Sequence, residues 1–462
     1  MLDRKVIGEL LRIMEPGDVL WEAPDLFAYS YDASPTPLRP GYRPDVVVKA
    51  RSTRQVAQVL QVADRHRLPV VARGLGSGRS GGSVPVAGGI VLALDGMNRI
   101  LEWDEENLTV TVEPGVRTGD LADQCVQRGL FYPPDPSSAA HSTIGGNIAE
   151  NAGGARAVKY GVTRDYVMGL EVVLAGGQVL RTGGKAVKNV TGYDLTRLFV
   201  GSEGTLGVVT RAVLRLIPLP KARRTVQVLF SSLDGACAAV ARSIRSGTVP
   251  AAAELMDDVS IRAVAGSRRL ETDPAVEAAV IFEFDGEGED AVERQIAHAR
   301  SICQACGSVR FLVAATGEEA AELWALRRGL SSAVAALAPD RIAEDISVPR
   351  AAFPEMVRRL KAIAAGHGLV VAVFGHAGDG NLHPSLLADL RLPGQRARVD
   401  GAVAEIFRTA LELGGTLSGE HGIGITKKDY MAAALGEAGM AVHRNLKAAL
   451  DPKGILNPGK IF

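Results

Sequence analysis

The sequence predicts an α+β protein of two domains with terminal additions, and three observations carry that expectation. Its 462 residues exceed what one ordinary core organises. Its 52 glycines are uneven: 25 fall from Gly74 to Gly207 and only ten from Val208 to Phe374, so one part of the chain relies on bare backbone. After Pro218-Leu219-Pro220 the pattern changes, from strands separated by Gly, Pro and Asn loops to a regular alternation of strands and helices. The expected division is a helix and lead-in over 1–43, a first domain over 44–220, a second over 221–425 and a C-terminal segment over 426–462.

Taken in order, Met1 to Met14 mixes Asp3, Arg4, Lys5 and Glu9 with apolar residues and reads as a surface helix, not a signal peptide. Val46-Val47-Val48 is a strand, and Ser52 with Gln55 three residues on starts a helix whose apolar stripe is Val56, Val59, Leu60 and Ala63. Strands follow at Leu68–Val71, Ile90–Leu94, Leu108–Val112, Gly169–Leu174 and Val208–Leu216. Beyond the prolines come strand 225–230, helix 233–246, strands 252–256 and 279–284, helix 289–305 and strand 308–314. That β-α-β-β-α-β order is ferredoxin-like, an antiparallel sheet with helices on one side. Helices near 317–337 and 350–366 and a strand over 369–374 complete the second domain.

Composition narrows the function. Lys+Arg and Asp+Glu both number 52, which argues against a nucleic-acid binder. No run approaches 18 uninterrupted apolar residues, so no transmembrane helix is expected. Four cysteines are too few for a disulfide scaffold and fit a reducing cytoplasm; Cys303 and Cys306 form a lone C-x-x-C without a second pair.

Arg73-Gly74-Leu75-Gly76-Ser77-Gly78-Arg79-Ser80-Gly81-Gly82 directly follows a strand, where close glycines let backbone N–H groups converge on an anion. It is neither a Walker A loop nor a dinucleotide fingerprint. Three further segments resemble the same architecture: Pro133 to Ser138 leading into Ser142 to Gly154, Lys188 to Asp194, and Gly201 to Val209. Together they resemble the FAD-binding domain of vanillyl-alcohol-oxidase-like flavoproteins, and within them the FAD-binding subunit of glycolate oxidase and its D-lactate dehydrogenase relatives. The likeness runs from about Pro44 through Asp451 to Lys460.

The resemblance implies a two-part FAD-binding domain over 44–220, a ferredoxin-like cap carrying substrate and metal groups, and a C-terminal segment that returns to the flavin. It implies that Arg73, Gly74, Gly76, Ser77, Gly78, Ser80 and Gly81 hold the pyrophosphate. Pro134, Asp135, Ser138, Thr143, Gly145, Gly146, Asn147, Asn151, Gly153, Gly154, Glu203, Gly204 and Val208 would surround the isoalloxazine and adenosine, with Asn457 returning to them. No histidine lies between Arg67 and Ala140, so the pyrophosphate loop cannot supply a covalent flavin link and non-covalent FAD is expected.

Three of the eight histidines sit in glycine-flanked motifs, His376-Ala-Gly-Asp-Gly-Asn-Leu-His383 and Gly419-Glu420-His421-Gly422. Gly378-Asp379-Gly380 makes a turn between strands the expected link, with both rings on one side. Two histidines and a carboxylate form a common divalent-metal set, Zn or Mn being the candidates. The resemblance implies that His376, His383 and Glu420 bind that metal, that His421 is the base, and that Arg327 grips the substrate carboxylate. His66, His141, His298, His367 and His443 lack such a setting.

The implied reaction is oxidation of a short D-2-hydroxy acid, glycolate or D-lactate. Relatives acting on D-2-hydroxyglutarate add a lysine shortly before the Asp-x-Ser-x-Pro stretch and an asparagine two residues after the second metal histidine; here Ala343-Glu344 precedes Asp345 and Ser385 follows His383-Pro384, with Arg341 as the nearby cation. An iron–sulfur subunit or a quinone-linked carrier is the implied electron acceptor, with a homo-oligomer and peripheral inner-membrane association left open. Two rival readings share the flavin fold: an alkyl-glycerone-phosphate synthase and a non-catalytic flavin-binding subunit. Neither has an obvious use for His376, His383, Glu420 and His421 together.

Overall fold

The computed structural model describes residues 3–36, 39–268 and 273–462; Met1 and Leu2 of the expected first helix lie outside them. The chain forms two compact units, Met1–Gly153 with Val162–Leu219 and Glu420–Phe462, and Gly154–Gly161 with Pro220–Gly419.

In unit 1, helix α1 (Arg4–Ile13) is capped by the Asp3 carboxylate, which accepts from the Lys5 amide at 2.9 Å, and buries Val6 and Leu10. It shares its core with α2 (Thr53–His66), so residues 1–43 are part of this unit and not a separate lead-in. The Ser52 hydroxyl caps α2 by accepting from the Gln55 amide. Around α2 run strands β1 (Val46–Lys49), β2 (Val70–Arg73) and β3 (Ile90–Ala93), paired in parallel in the order β1-β3-β2. Their residues are nearly all buried, as parallel strands covered on both faces require. Five antiparallel strands make the second layer: β4 (Ile100–Asp104), β5 (Thr109–Val112), β6 (Val167–Val173), β7 (Val179–Gly183) and β8 (Val208–Arg215), in the order β4-β5-β8-β6-β7. Helix α3 (Ile144–Glu150) lies between β5 and β6 in sequence. This two-part arrangement is the one expected.

Unit 2 is built on one sheet. Strands β9 (Ala222–Phe230), β10 (Ala252–Asp257), β11 (Ala278–Gly286) and β12 (Ser308–Val313) lie in the order β12-β9-β11-β10, with helices α4 (Leu233–Arg245) and α6 (Glu289–Ala305) as the two crossovers. That is the ferredoxin-like order, extended past β10 by β14 (Val370–His376), β15 (Asn381–Ala388) and β13 (Asp340–Ala343). A helix not expected from the sequence, α5 (Asp258–Arg268), follows β10; the Asp257 carboxylate starts it by accepting from the Ser260 amide at 2.9 Å. Helix α7 (Gly317–Ala335) and α5 cover the sheet face that buries Met256, Ile281, Ala372 and Phe374.

Two segments lie on the other side of the expected division. Residues 154–161 belong to unit 2 because Arg156 pairs with Glu283 at 3.0 Å and Tyr160 donates to Asp285 at 2.8 Å, both acceptors on β11. Residues 420–425 belong to unit 1, where Glu203 accepts from the Ile423 and Gly424 amides and the Ser80 carbonyl from the Ile425 amide. Among the described residues, no helix is long and apolar enough to cross a membrane.

Candidate functional site

Unit 1 contains a cavity of about 600 Å³. Its wall begins where β2 ends at Arg73 and the chain enters the glycine loop. Gly76 and Gly81 adopt φ of 71° and 80°, a region L side chains rarely visit. A Cβ at Gly74 would strike the Thr143 hydroxyl, and one at Gly145 would lie 2.6 Å from the Pro114 Cβ, so the loop and the start of α3 form a wall of bare backbone. The buried Arg73 guanidinium donates to the Tyr31 carbonyl at 2.7 Å and the Ser83 hydroxyl at 3.3 Å, and packs over the Tyr29 ring. It holds the loop in shape. From behind, the Asn457 amide donates to the carbonyls of Gly82 and Glu203, and Lys460 donates to the Val84 carbonyl.

Acidic groups complete this wall. Glu203, with φ of 51°, is tied at 2.7 Å to each of the Ile423 and Gly424 amides. Glu150, at the end of α3, carries a buried Oε2 with no hydrogen-bond partner. Burial, and then the charge of Glu203, push the Glu150 carboxyl well above its usual range, and burial raises Glu203 as well. Glu420 and His421 line the same cavity, with His421 Nε2 4.0 Å from Glu420 Oε1. Gly153 leaves room for Glu420, since a Cβ there would approach its Oε2 to 3.2 Å. Gly422, with φ of 88°, supplies the irregular backbone that adjacent functional residues need. A roomy cavity walled by convergent backbone and small residues fits a large, phosphate-bearing, planar group such as FAD.

Unit 2 holds a cluster of side chains on its sheet. His376 ends β14 opposite Glu254 of β10, while His383 of β15 faces Phe374, two residues before His376. Side chains two apart share a face, so both imidazoles and the Glu254 carboxylate converge. Glu254 Oε1 lies 2.5 Å from His376 Nδ1, and Glu254 Oε2 accepts from Arg327 Nε at 2.7 Å and pairs with Nη2 at 2.6 Å. His383 Nδ1 lies 3.6 Å from Asp345 Oδ1. Asp345 is itself buried and accepts from the Ser418 hydroxyl, the Gly419 amide and the Asn381 side chain. Burial alone would raise Glu254, but the charges of His376 and Arg327 outweigh it and hold the carboxyl down at about 2.

The two Nε2 atoms face each other 3.4 Å apart. The Glu254 carboxylate at His376 Nδ1 calls for the ring proton there and leaves His376 Nε2 as a candidate ligand atom, with His383 Nε2 beside it. That donor set fits a divalent metal.

Of the expected flavin residues, Arg73, Gly74, Gly76, Ser77, Gly78, Ser138, Thr143, Gly145, Gly146, Asn147, Glu203, Gly204 and Val208 line the cavity. Ser80, Gly81, Pro134, Asp135, Asn151, Gly153 and Asn457 are in unit 1 but outside its lining, and Gly154 belongs to unit 2. Asn151 has a local duty: it ends α3 with φ of 54°, and its side-chain oxygen accepts from the Arg164 amide. Arg341 is engaged by the Ser331 hydroxyl at 2.6 Å on α7. His141, set aside on sequence, lines the cavity, whereas His66, His298, His367 and His443 make partners elsewhere on their own elements and neighbours. Burial lifts the Cys303 thiol to about 12, so it holds its proton at neutral pH and is a poor metal ligand. Glu254, Asp345 and Glu150 went unrecognised as site residues. Glu150 and Asp345 carry local signals, an acid inside the glycine-rich Ser142–Gly154 run and the first residue of the Asp-x-Ser-x-Pro stretch; Glu254 carries none.

Comparison with known proteins identifies the family. Residues 219–461 match the C-terminal domain of FAD linked oxidases, and residues 44–183 match an FAD binding domain. The glycolate oxidase subunit GlcD of Bacillus subtilis is 45% identical over 464 residues, covering 100% of this chain and 97% of that protein. A D-lactate dehydrogenase of Anaerostipes hadrus is 37% identical over 426 residues, covering 91% and 90%. Among solved structures, p-cresol methylhydroxylase superposes with a TM-score of 0.80 at 20% identity, covering 99% of this chain and 96% of that one. At that identity the likeness concerns the fold, which is of the vanillyl-alcohol-oxidase type.

Proposed function

This chain belongs to the FAD-linked oxidase family, and from that premise we propose that it oxidises a short D-2-hydroxy monocarboxylate, glycolate or D-lactate, to the 2-oxo acid. The observation that carries the proposal is that His421 stands in the wall of the same cavity as the glycine loop. An imidazole there is a base of suitable strength near neutral pH, set beside the group that accepts electrons.

The Gly74–Gly82 loop, the start of α3 and the Glu203–Val208 segment would hold the FAD, which would supply a hydride acceptor. His376, His383 and Glu420 are the proposed ligands of a divalent metal, Zn²⁺ or Mn²⁺, which supplies Lewis acidity toward the hydroxy acid. Gly419, bonded to Asp345, is the residue directly before Glu420. Arg327 offers its guanidinium to the substrate carboxylate; Glu254 occupies Nε and one Nη2 hydrogen and fixes the plane of the fork. His421 takes the hydroxyl proton. Atoms then balance: the O–H proton rests on His421, and the C–H hydride leaves the carbon as its C=O forms. Electrons pass onward to a partner subunit or a quinone-linked carrier; the Bacillus subtilis relative is itself a subunit.

Ser385 is buried on β15 on the face that carries His383, and no lysine stands next to Asp345. The cluster therefore offers one carboxylate grip, not two. The test is kcat/KM for glycolate, D-lactate, L-lactate and D-2-hydroxyglutarate with an artificial electron acceptor. Glycolate or D-lactate should lead by about tenfold or more, since leaving a second carboxylate unpaired costs several kcal/mol. A preference for D-2-hydroxyglutarate refutes the size assignment, and a preference for L-lactate refutes the stereochemical one.

A further inference from the structure

Glu254 is an invested carboxylate. It is 1% exposed, and its two oxygens serve different masters: Oε1 meets His376 Nδ1 at 2.5 Å, and Oε2 receives both Arg327 Nε and Nη2. The arms converge from three elements, with Glu254 on β10, His376 directly opposite on β14 and Arg327 on α7. Arg327 is further fixed over the Phe374 ring at 5.2 Å, one strand position from His376 on the same face. Nothing in the proposed chemistry requires an acid here to touch substrate. Its placement between a metal-type histidine and a carboxylate-binding arginine needs another explanation.

We propose that Glu254 is a positioning residue that couples the two-histidine metal site to the Arg327 carboxylate grip, so that filling one strengthens the other. This rests on the reading of His376 and His383 as metal ligands and of Arg327 as the substrate's anchor. The physical chain is short. Donation from Nδ1 to Glu254 fixes the His376 tautomer and leaves Nε2 as the ligand atom. A cation drawing on Nε2 makes the Nδ1 proton more acidic, so the Nδ1–H···Oε1 bond tightens and takes up more of the carboxylate's charge. Oε2 then neutralises Arg327 less, and the guanidinium offers more positive charge to an incoming acid. By linkage, a bound acid strengthens metal binding by the same factor. The coupling sign is positive.

The test uses the FAD-loaded full-length protein, with Mn²⁺ as the metal probe and methoxyacetate, a glycolate analogue lacking the hydroxyl proton, as the acid. Mn²⁺ affinity is measured by calorimetry with and without the acid. In the wild type, methoxyacetate should tighten Mn²⁺ binding by about fivefold or more. In Glu254→Gln the carboxamide has one acceptor oxygen and one donor group, so it can serve only one arm. Mn²⁺ alone should then bind about 10- to 100-fold more weakly, KM for D-lactate should rise, and the acid's effect on Mn²⁺ should disappear. Arg327→Met cuts the other arm and guards against misfolding of the first variant: Mn²⁺ alone should bind within about twofold of wild type while the coupling is lost. Wild-type coupling in either variant overturns the role given to Glu254, because direct contact between acid and metal would then explain it. A wild type that takes up Mn²⁺ but loses none of it on His383→Ala overturns the histidine reading itself, and the inference with it.

Discussion

The cavity of unit 1 and the side-chain cluster of unit 2 solve the problem of holding charge in opposite ways. The cavity presents backbone: Gly74, Gly76, Gly78, Gly145 and Gly146 line it, and their missing side chains bring N–H groups within reach of a ligand's anions. Main chain holds its charged groups too: Glu203 is pinned by the Ile423 and Gly424 amides, and Arg73 donates to the Tyr31 carbonyl. The cluster presents almost no backbone. Glu254, Arg327, His376, His383 and Asp345 come from four strands or their flanks and one helix, and each charge is matched by another side chain. A backbone cradle tolerates ligand detail but not added volume. A side-chain cluster tolerates volume poorly and loss of charge worse, because removing one partner strands another in a buried place.

The largest expected effect separates the two regions outright. A Cβ at Gly78 would meet only the Glu150 and Asp32 carboxylates at 3.8 and 3.9 Å, so Gly78→Asp should fold while adding a negative charge to the anion cradle. FAD affinity should fall by about 100-fold or more, as a loss of roughly 3 kcal/mol would give, with Mn²⁺ uptake unchanged. His383→Ala should do the reverse, weakening Mn²⁺ by about 100-fold and leaving flavin fluorescence titrations at wild-type affinity. A variant that loses both ligands together would dissolve the distinction between the regions.

How much of this was legible in the sequence follows the same divide. The loop from Arg73 to Gly82 could be read directly because its glycines are neighbours in the chain. Helix α6 was expected over its observed span because Val292, Ile296, Ala299 and Cys303 repeat at helical spacing. Glu254 could not be seen: it lies 122 residues from His376, and only pairing of β10 with β14 joins them. That pairing also carries β14 through Gly375 to His376, two residues past the expected end, despite the weak strand preference of glycine. Segment 154–161 joins unit 2 through a contact of the same kind, since Arg156 and Glu283 are 127 residues apart.

Within the cavity, ionisation of Glu150 has a smaller effect. The folded state keeps the Glu150 proton to higher pH than the unfolded chain does, so the folded state binds more protons and stability falls as pH rises above the ordinary glutamate range. Glu150→Gln removes that penalty. The apo-protein variant should melt higher than wild type at pH 8 and close to it at pH 5. An equal shift at both pH values would mean that packing, not ionisation, separates them. Glu254 has the opposite sign, its carboxyl being held at about 2, so its contribution is present at neutral pH and is lost as pH falls toward 2.

Whether a short D-2-hydroxy acid reduces the proposed flavin is decided by anaerobic mixing. FAD- and metal-loaded protein is combined with D-lactate, glycolate or L-lactate while the flavin absorbance is followed. Bleaching with D-lactate or glycolate at a rate no slower than turnover, slowed about 100-fold or more in His421→Ala at unchanged FAD and Mn²⁺ content, is the predicted result. A flavin that stays oxidised with both acids, or that bleaches equally fast without His421, would contradict it.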